Sequence, residues 1–248
     1  MTAQLAHIAR HPIKSHGRED LATVLLSAGQ GLPFDRQWAV AHDAARLVPG
    51  WNACVNFARG AKAPALMAVS ARLHADTATI TLTHPAKPDL TFQPDDTADL
   101  ERFLDWVRPL NPPDRAQPVQ IVTGGRAMTD TDFASVSIFG LASNTALSTI
   151  LGQDLSPQRW RGNLWIDGLE PWAEFEWIGK TVQIGTAVLQ VVERITRCRA
   201  TMANPQTGLI DADTLGALNT SFGHQDFGVY ARVIQSGQIA VGDKVVVQ

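Results

Sequence analysis

Val191-Val-Glu-Arg-Ile-Thr-Arg-Cys-Arg-Ala-Thr-Met-Ala-Asn-Pro-Gln-Thr-Gly208 opens as a β run and closes as a turn. The run begins upstream: Ala187–Ile195 has the alternation and β-branched content of a strand. Asn204-Pro205-Gln-Thr-Gly208 supplies the turn chemistry. Between them a lone Cys198 leaves the C-terminal end of the strand, flanked by Arg197 and Arg199. A free cysteine in such a place ordinarily packs as a small buried thiol. Neighbouring guanidinium groups favour the thiolate instead, the form that binds metal or attacks. Strict alternation puts Arg197 and Arg199 on the face opposite Cys198. The second reading therefore needs the strand to end or twist here, or Arg194 to help from the same face.

Further strands are expected at Ala39–Val40, Leu66–Leu73, Ala78–Leu82, Val182–Ile184, Val229–Ile234 and Lys244–Val247. Helices are few. Thr97–Val107 carries Leu100, Phe103, Leu104 and Val107 on one face. Leu141–Leu151 ends at Gly152, and Asp213–Leu218 reads as a short third helix. This pattern predicts a strand-rich α+β chain rather than a doubly wound sheet. Pro109, Pro112, Pro113 and Pro118 make Arg108–Pro118 unfit for helix or strand interior. That stretch divides the chain into domains at 1–115 and 116–248. Ser236-Gly237 and Gly242-Asp243 read as tight strand connections of a closing barrel.

The chain has 248 residues, enough for one large domain or two small ones. Its 21 basic and 24 acidic residues leave a net charge of -3, which argues against a nucleic-acid binder. Sixteen of the cations are arginine, the residue suited to bidentate recognition of phosphate and carboxylate. The two cysteines, Cys54 and Cys198, are too few for a disulfide framework, a cysteine zinc finger or a four-thiolate iron–sulfur cluster. P-loop, dinucleotide-binding, nucleophile-elbow and zinc-protease motifs are absent, and the seven histidines are scattered. No signal peptide or membrane-length apolar run is read, so a cytoplasmic location with no membrane contact is expected.

Three more segments carry candidate chemistry. Arg159-Trp-Arg161-Gly-Asn163 pairs two arginines before a strand, either solvent-exposed or a fork for an anionic ligand. His11-Pro-Ile-Lys14-Ser15-His-Gly17 is a polar turn in which Lys14 and Ser15 can donate to a phosphate. Phe34-Asp35-Arg36-Gln-Trp38 puts Arg36 at the start of a strand, where a surface ion pair is the plain alternative. Cys54, in Trp51-Asn-Ala-Cys54-Val-Asn-Phe57, reads as apolar packing.

Together and in order, these segments resemble the MOSC family, named for the C-terminal domain of molybdenum-cofactor sulfurases. His11-Pro-Ile-Lys-Ser15 is similar to the family's Tyr-Pro-Val/Ile-Lys-Ser, and Asp35-Arg-Gln-Trp38 to Asp-Arg-x-Trp. Trp160-Arg-Gly-Asn163 resembles Phe-Arg-Pro-Asn, and Trp177-Ile-Gly179 a Trp…Ile-Gly turn. Arg197-Cys198…Thr201…Pro205-Gln-Thr-Gly208 resembles Arg-Cys…Thr…Asp-Pro-x-Thr-Gly. Phe227-Gly228 and Gly237–Asp243 resemble the closing strands. His11, Gly162 and Asn204 depart from the pattern, standing where the family has Tyr, Pro and Asp.

The resemblance implies an N-terminal β-barrel-like domain, a C-terminal MOSC β-barrel domain and a molybdenum cofactor (Mo-molybdopterin) between them. Cys198 would be the thiolate ligand of Mo, a soft donor suited to that ion, and the catalytic residue. Lys14, Ser15 and Arg36 would hold the pterin phosphate or ring from one domain. Arg161, Asn163 and Arg197 would do so from the other, with Ser137 or Ser143 as a further donor. The implied activity is reduction of small N-oxygenated compounds such as amidoximes, as in the amidoxime-reducing relatives. The sequence reads as lacking the ferredoxin domain of some relatives and the membrane anchor of the mitochondrial ones. With no cluster, flavin or nicotinamide motif, electrons would come from a separate electron-transfer protein. The alternative is a cofactor or persulfide carrier using Cys198 without turnover.

Overall fold

The computed structural model describes residues 3–248. The first half holds strands β1 (Gln4–Arg10), β2 (Glu19–Leu21), β3 (Thr23–Leu26), β4 (Trp38–His42), β5 (Ser70–His74), β6 (Thr79–His84) and β7 (Lys87–Phe92). Helix α1 (Thr97–Val107) and strand β8 (Pro118–Thr123) follow. The second half holds β9 (Val136–Gly140), α2 (Leu141–Leu151), β10 (Leu164–Asp167), β11 (Thr181–Ile184) and β12 (Ala187–Thr196). It ends with α3 (Thr214–Phe222), β13 (Asp226–Gln235), β14 (Gly237–Ala240) and β15 (Val245–Val247).

The helices stop and start where their caps dictate. The Asp96 carboxylate accepts from the Ala98 N–H at the head of α1, and the Asp213 carboxylate from the Gly216 N–H at the head of α3. Gly152 ends α2 in the left-handed conformation, at φ 64. Phe103, Leu104, Trp106 and Val107 bury the inner face of α1.

An eight-stranded sheet runs in the order β15-β11-β12-β13-β9-β10-β1-β2. Only β9 and β10 pair in parallel; the other neighbours are antiparallel. Leu5, Ile138, Ile166, Leu189 and Val229 form its core. A second core, around Trp38, Val40, Leu66, Ile80, Phe92 and Phe103, lies among β4–β7 and α1. The architecture is strand-rich α+β in two parts with separate cores. Hydrogen bonding crosses the division at residue 115: β1 lies beside β10, and β8 pairs with β4.

Some local expectations are corrected. The sheets do not close by hydrogen bonding. Ser236-Gly237 is no hairpin turn, because β14 leaves β13 and pairs with β3. Gly237 serves as a corner: a Cβ there would lie 2.2 Å from the Thr186 carbonyl carbon. Leu66–Leu73 is not one strand, since Pro64 starts a 3-10 turn over Pro64–Ala68 and β5 begins only at Ser70. Arg108–Leu110 forms a 3-10 turn, and Pro118 is the first residue of β8, where its missing N–H is tolerated.

Candidate functional site

Three chain turns converge where the two parts meet. After β1, residues 11–16 lie against the start of β4. The Lys14 N–H donates to the Trp38 carbonyl at 2.8 Å, and the Arg36 N–H donates to the His11 carbonyl at 2.7 Å. The buried Asp35 carboxylate ties the same segments, accepting from the His11 N–H at 2.8 Å. From the second part comes the 3-10 turn Pro157–Trp160, which ends at Arg161. Arg36 Nη2 donates to the Arg161 carbonyl at 2.8 Å across the junction. Ser15, Arg36 and Arg161 sit here at φ 62, 50 and 52, conformations uncommon for residues with a Cβ. Each costs on the order of 1–3 kcal/mol, and such strain concentrates at functional sites.

The third turn carries the cysteine. β12 stops at Thr196, so alternation no longer governs Arg197 and Cys198. The Arg197 N–H bonds to the Gln225 carbonyl at 2.8 Å. Cys198 is extended and heads the 3-10 turn Arg199–Met202. Thr201 fixes that turn, its Oγ1 donating to the Cys198 carbonyl at 3.1 Å. Cys198 is exposed, not the buried thiol of the plain alternative.

Lys14, Ser15, Arg36, Arg161, Arg197 and Cys198 line one cavity of about 300 Å³. That volume lies at the lower end of the small-ligand range. Of the two candidate serines, Ser137 lines it. The Arg197 guanidinium lies 5.7 Å from the rings of both Phe139 and Trp160. Its Nε is buried without a hydrogen-bond partner among the described residues. Trp160 in turn stacks on Phe227 at 3.8 Å. A Cβ on Gly162 would lie 2.4 Å from the Phe139 ring, so Phe139 fills the place where the family pattern has proline.

The charges here are only partly balanced. Lys14 Nζ donates to Asp130 at 2.6 Å and to the Met128 carbonyl at 2.7 Å. Burial nevertheless lowers the Lys14 pKa, with Asp130 opposing. Burial also works against the Arg36 charge, but the Asp35 ion pair outweighs it and raises the pKa. Arg161 has no carboxylate partner within ion-pair distance among the described residues. Burial and the neighbouring Arg36 charge push its pKa down to about 9. Burial, then Arg161 and Arg36, push the His11 pKa down to about 3, against the pull of Asp35. Burial and Asp130 push Tyr230 up to about 12, so its phenol keeps its proton at neutral pH. The cavity therefore presents an incompletely neutralised cluster of cations around a thiol.

Several expected residues lie elsewhere. Asn163 does not line the cavity: its Oδ1 accepts from Ser137 Oγ at 2.8 Å and its Nδ2 donates to the Ala9 carbonyl at 3.2 Å. It ties β9 and β1 together and positions Ser137. Ser143 is bound instead to the buried Glu174 carboxylate at 2.9 Å. Arg159 is neither exposed nor half of a ligand fork. It is buried and donates to the Thr201 carbonyl at 2.9 Å and to Asp211 at 3.2 Å. Arg194 packs on Phe175, its guanidinium 4.3 Å from the ring, and gives Cys198 no help from the cavity side.

Cys54, expected in apolar packing, lines the same cavity and accepts from Arg59 Nη1 at 3.1 Å. Asp130, Tyr230 and Arg59 also line it without having been anticipated. Tyr230 is the chain's only tyrosine, the one signal that singled it out. Asp130 sits in an irregular Thr/Asp-rich loop without periodicity.

Comparison with known proteins agrees with this two-part layout. The MOSC N-terminal beta barrel domain matches residues 2–109, and the MOSC domain matches residues 125–246. The chain belongs to the MOSC family. MOSC domains are associated with molybdenum-cofactor sulfurases and molybdenum-cofactor-binding proteins. No curated protein matches the chain. Among solved structures, the YUAD protein from Bacillus subtilis is similar at 12% identity and a TM-score of 0.48, over 100% of this chain and 96% of that one. YiiM from Geobacillus stearothermophilus is 21% identical with a TM-score of 0.35, over 46% of this chain and 53% of its own. YiiM from Escherichia coli is 18% identical with a TM-score of 0.34 over the same shares. The assignment to the MOSC family rests on the two domain matches, not on these scores. No helix among the described residues is long and apolar enough to cross a membrane.

Proposed function

We propose that this MOSC protein is a molybdenum-cofactor-dependent reductase of small N-oxygenated compounds. The observation that supports it most is an exposed Cys198 thiol on a cavity lined by Lys14, Arg36, Arg161 and Arg197. The residues present fit the cofactor: a soft thiolate for Mo, and several cations for an anionic pterin. The buried, unpartnered Nε of Arg197 is a donor awaiting an acceptor.

When bound, the cofactor would supply two-electron oxygen-atom removal from nitrogen. Cys198 Sγ would hold the metal, and Arg161 and Arg197 would take the pterin's anionic groups. Ser15 offers a hydroxyl donor, whereas the Ser137 hydroxyl proton is already given to Asn163 Oδ1. Tyr230 Oη and Lys14 Nζ hold protons beside the cavity. Electrons would come from a separate redox protein, since the chain's two cysteines cannot hold a four-thiolate cluster. The test is turnover: cofactor-loaded protein with an artificial electron donor is expected to reduce benzamidoxime to benzamidine. Loaded protein that reduces no N-hydroxylated compound would contradict this reading.

The exposure of Cys198 also favours a second reading, a persulfide or cofactor carrier. That reading predicts a transferable sulfur on Cys198, seen as a mass increase in the peptide containing it, with little turnover.

A further inference from the structure

A second cavity, of about 640 Å³, is larger than the one of about 300 Å³ that holds Cys198. It lies on the other side of the segment 54–63. Cys54, Gly60 and Ala61 face the Cys198 cavity, Val55–Ala58 and Lys62–Ala63 face the larger cleft, and Arg59 lines both.

The cleft is unusual in its charge. Arg46, Arg59, Lys62 and Arg115 all line it, and no lining residue is a carboxylate. This occurs in a chain whose net charge is -3. Some cations elsewhere have carboxylate partners, as Arg10 has Glu19, Arg102 has Asp99 and Arg159 has Asp211. Among the described residues, the Arg46 and Lys62 side chains form no hydrogen bond or ion pair. Arg59 donates only to the Cys54 sulfur, and Arg115 meets Asp114 only at 3.9 Å, with both side chains exposed.

The cleft's walls are apolar as well as cationic. Val55, Phe57, Ala63 and Pro112 line it, and Val55 is 60% exposed. His42 Nε2 bonds to the Val55 carbonyl at 2.8 Å, while its buried Nδ1 has no partner. A concave apolar space with a few converging polar groups is the usual form of a small-molecule site. A flat acidic protein surface would not fill it. Three cations without a carboxylate partner, with Arg115 only loosely paired to Asp114, set the charge of the occupant.

We propose that this cleft binds a small organic anion with an apolar body and a carboxylate, sulfonate or phosphate head. Arg46, Lys62 and Arg115 would take the head from the rim, with Arg59 deeper in the wall. Nothing in this inference depends on the molybdenum reading, because Arg59 is the one residue that lines both cavities.

The probes are 1-anilinonaphthalene-8-sulfonate, its uncharged relative N-phenyl-1-naphthylamine, and decanoate as competitor. The full-length protein is expected to show one saturable fluorescent site for the sulfonate, displaced by decanoate and weakened by salt. The triple variant Arg46→Gln/Lys62→Gln/Arg115→Gln changes only exposed side chains, so its melting temperature is expected to hold. Its affinity for the sulfonate is expected to fall about tenfold or more, with the uncharged relative little affected. Amide NMR shifts on binding should centre on Val55, Ala58 and Ala116. Absence of saturable binding for both anions, or equal affinity in the triple variant, would overturn the proposal. So would shifts centred on another surface.

Discussion

Arg159 and Arg161 are two residues apart in one turn and do opposite work. Arg159 points back into the protein, where the Thr201 carbonyl and Asp211 take its guanidinium. It thereby pins the turn that follows Cys198. Arg161 points into the cavity and donates within the protein only to the Ile13 carbonyl, at 3.5 Å. A cation whose acceptors come from the protein is structural; one left short of acceptors is available to a ligand. By the same criterion, Arg46 and Lys62 fall with Arg161.

The sharpest way to break this contrast is to remove each arginine. Arg159→Ala should lower stability by about 3–5 kcal/mol, because it leaves Asp211 and buried carbonyls without their partner. Urea unfolding measures this, and a loss below that of an ordinary surface substitution would contradict the structural role. Arg161→Gln should leave the unfolding midpoint unchanged or higher, since it removes a buried charge that Arg36 opposes. Its cost should appear in pterin retention, about 10-fold to 100-fold weaker for one lost charged hydrogen bond.

Acid sharpens the same distinction. His11 and His16 are buried, and burial is the first cause lowering their pKa values to about 3 and about 4. Their folded values lie below the unfolded value of 6.5, so the unfolded chain binds more protons between those limits. Stability should therefore fall as pH drops from about 6.5 towards 4, by on the order of 1–2 kcal/mol for each histidine near pH 5. The Asp35–Arg36 pair contributes in the other window. The Asp35 carboxyl is held below its usual range, so its stabilisation is lost only below about pH 3.8. Unfolding midpoints at neutral and mildly acid pH check the order of these events.

The smallest expected effect concerns Asn204. Its Oδ1 accepts from the Gln206 N–H at 2.8 Å, as an aspartate would, but its Nδ2 also donates to Asp211 at 2.7 Å. Asn204→Asp would keep the first bond and set a second carboxylate against Asp211. A loss of about 0.5–1.5 kcal/mol is expected by urea unfolding.

The elements most legible in the sequence are those with a strong local cause. α1 and α2 begin and end at the expected residues because Asp96 caps one and Gly152 ends the other. The Ala187–Ile195 run is a strand because its alternation has one buried face. The route from β13 to β14 was not legible, because a tight Ser-Gly pair serves a sheet corner as well as a hairpin. The paired arginines could not be sorted, since the left-handed backbone at Arg161 turns its side chain away from Arg159's surroundings. Cys54 was misplaced because a 3-10 turn has no two-residue period to tell which face a side chain takes. Lys14, Ser15, Arg36, Arg197 and Cys198 were legible through family motifs, whereas Asp130 and Tyr230 reach the cavity only through tertiary folding.

The central claim is that Cys198 holds molybdenum in the cavity between the two parts. The direct measurement is molybdenum and pterin content of wild type and Cys198→Ala, both purified from a host that makes the cofactor. Near-stoichiometric molybdenum in the wild type is predicted, with loss of metal or an altered Mo spectrum in the variant. Molybdenum and pterin absent from the wild type, or unchanged in both content and spectrum in the variant, would contradict the account.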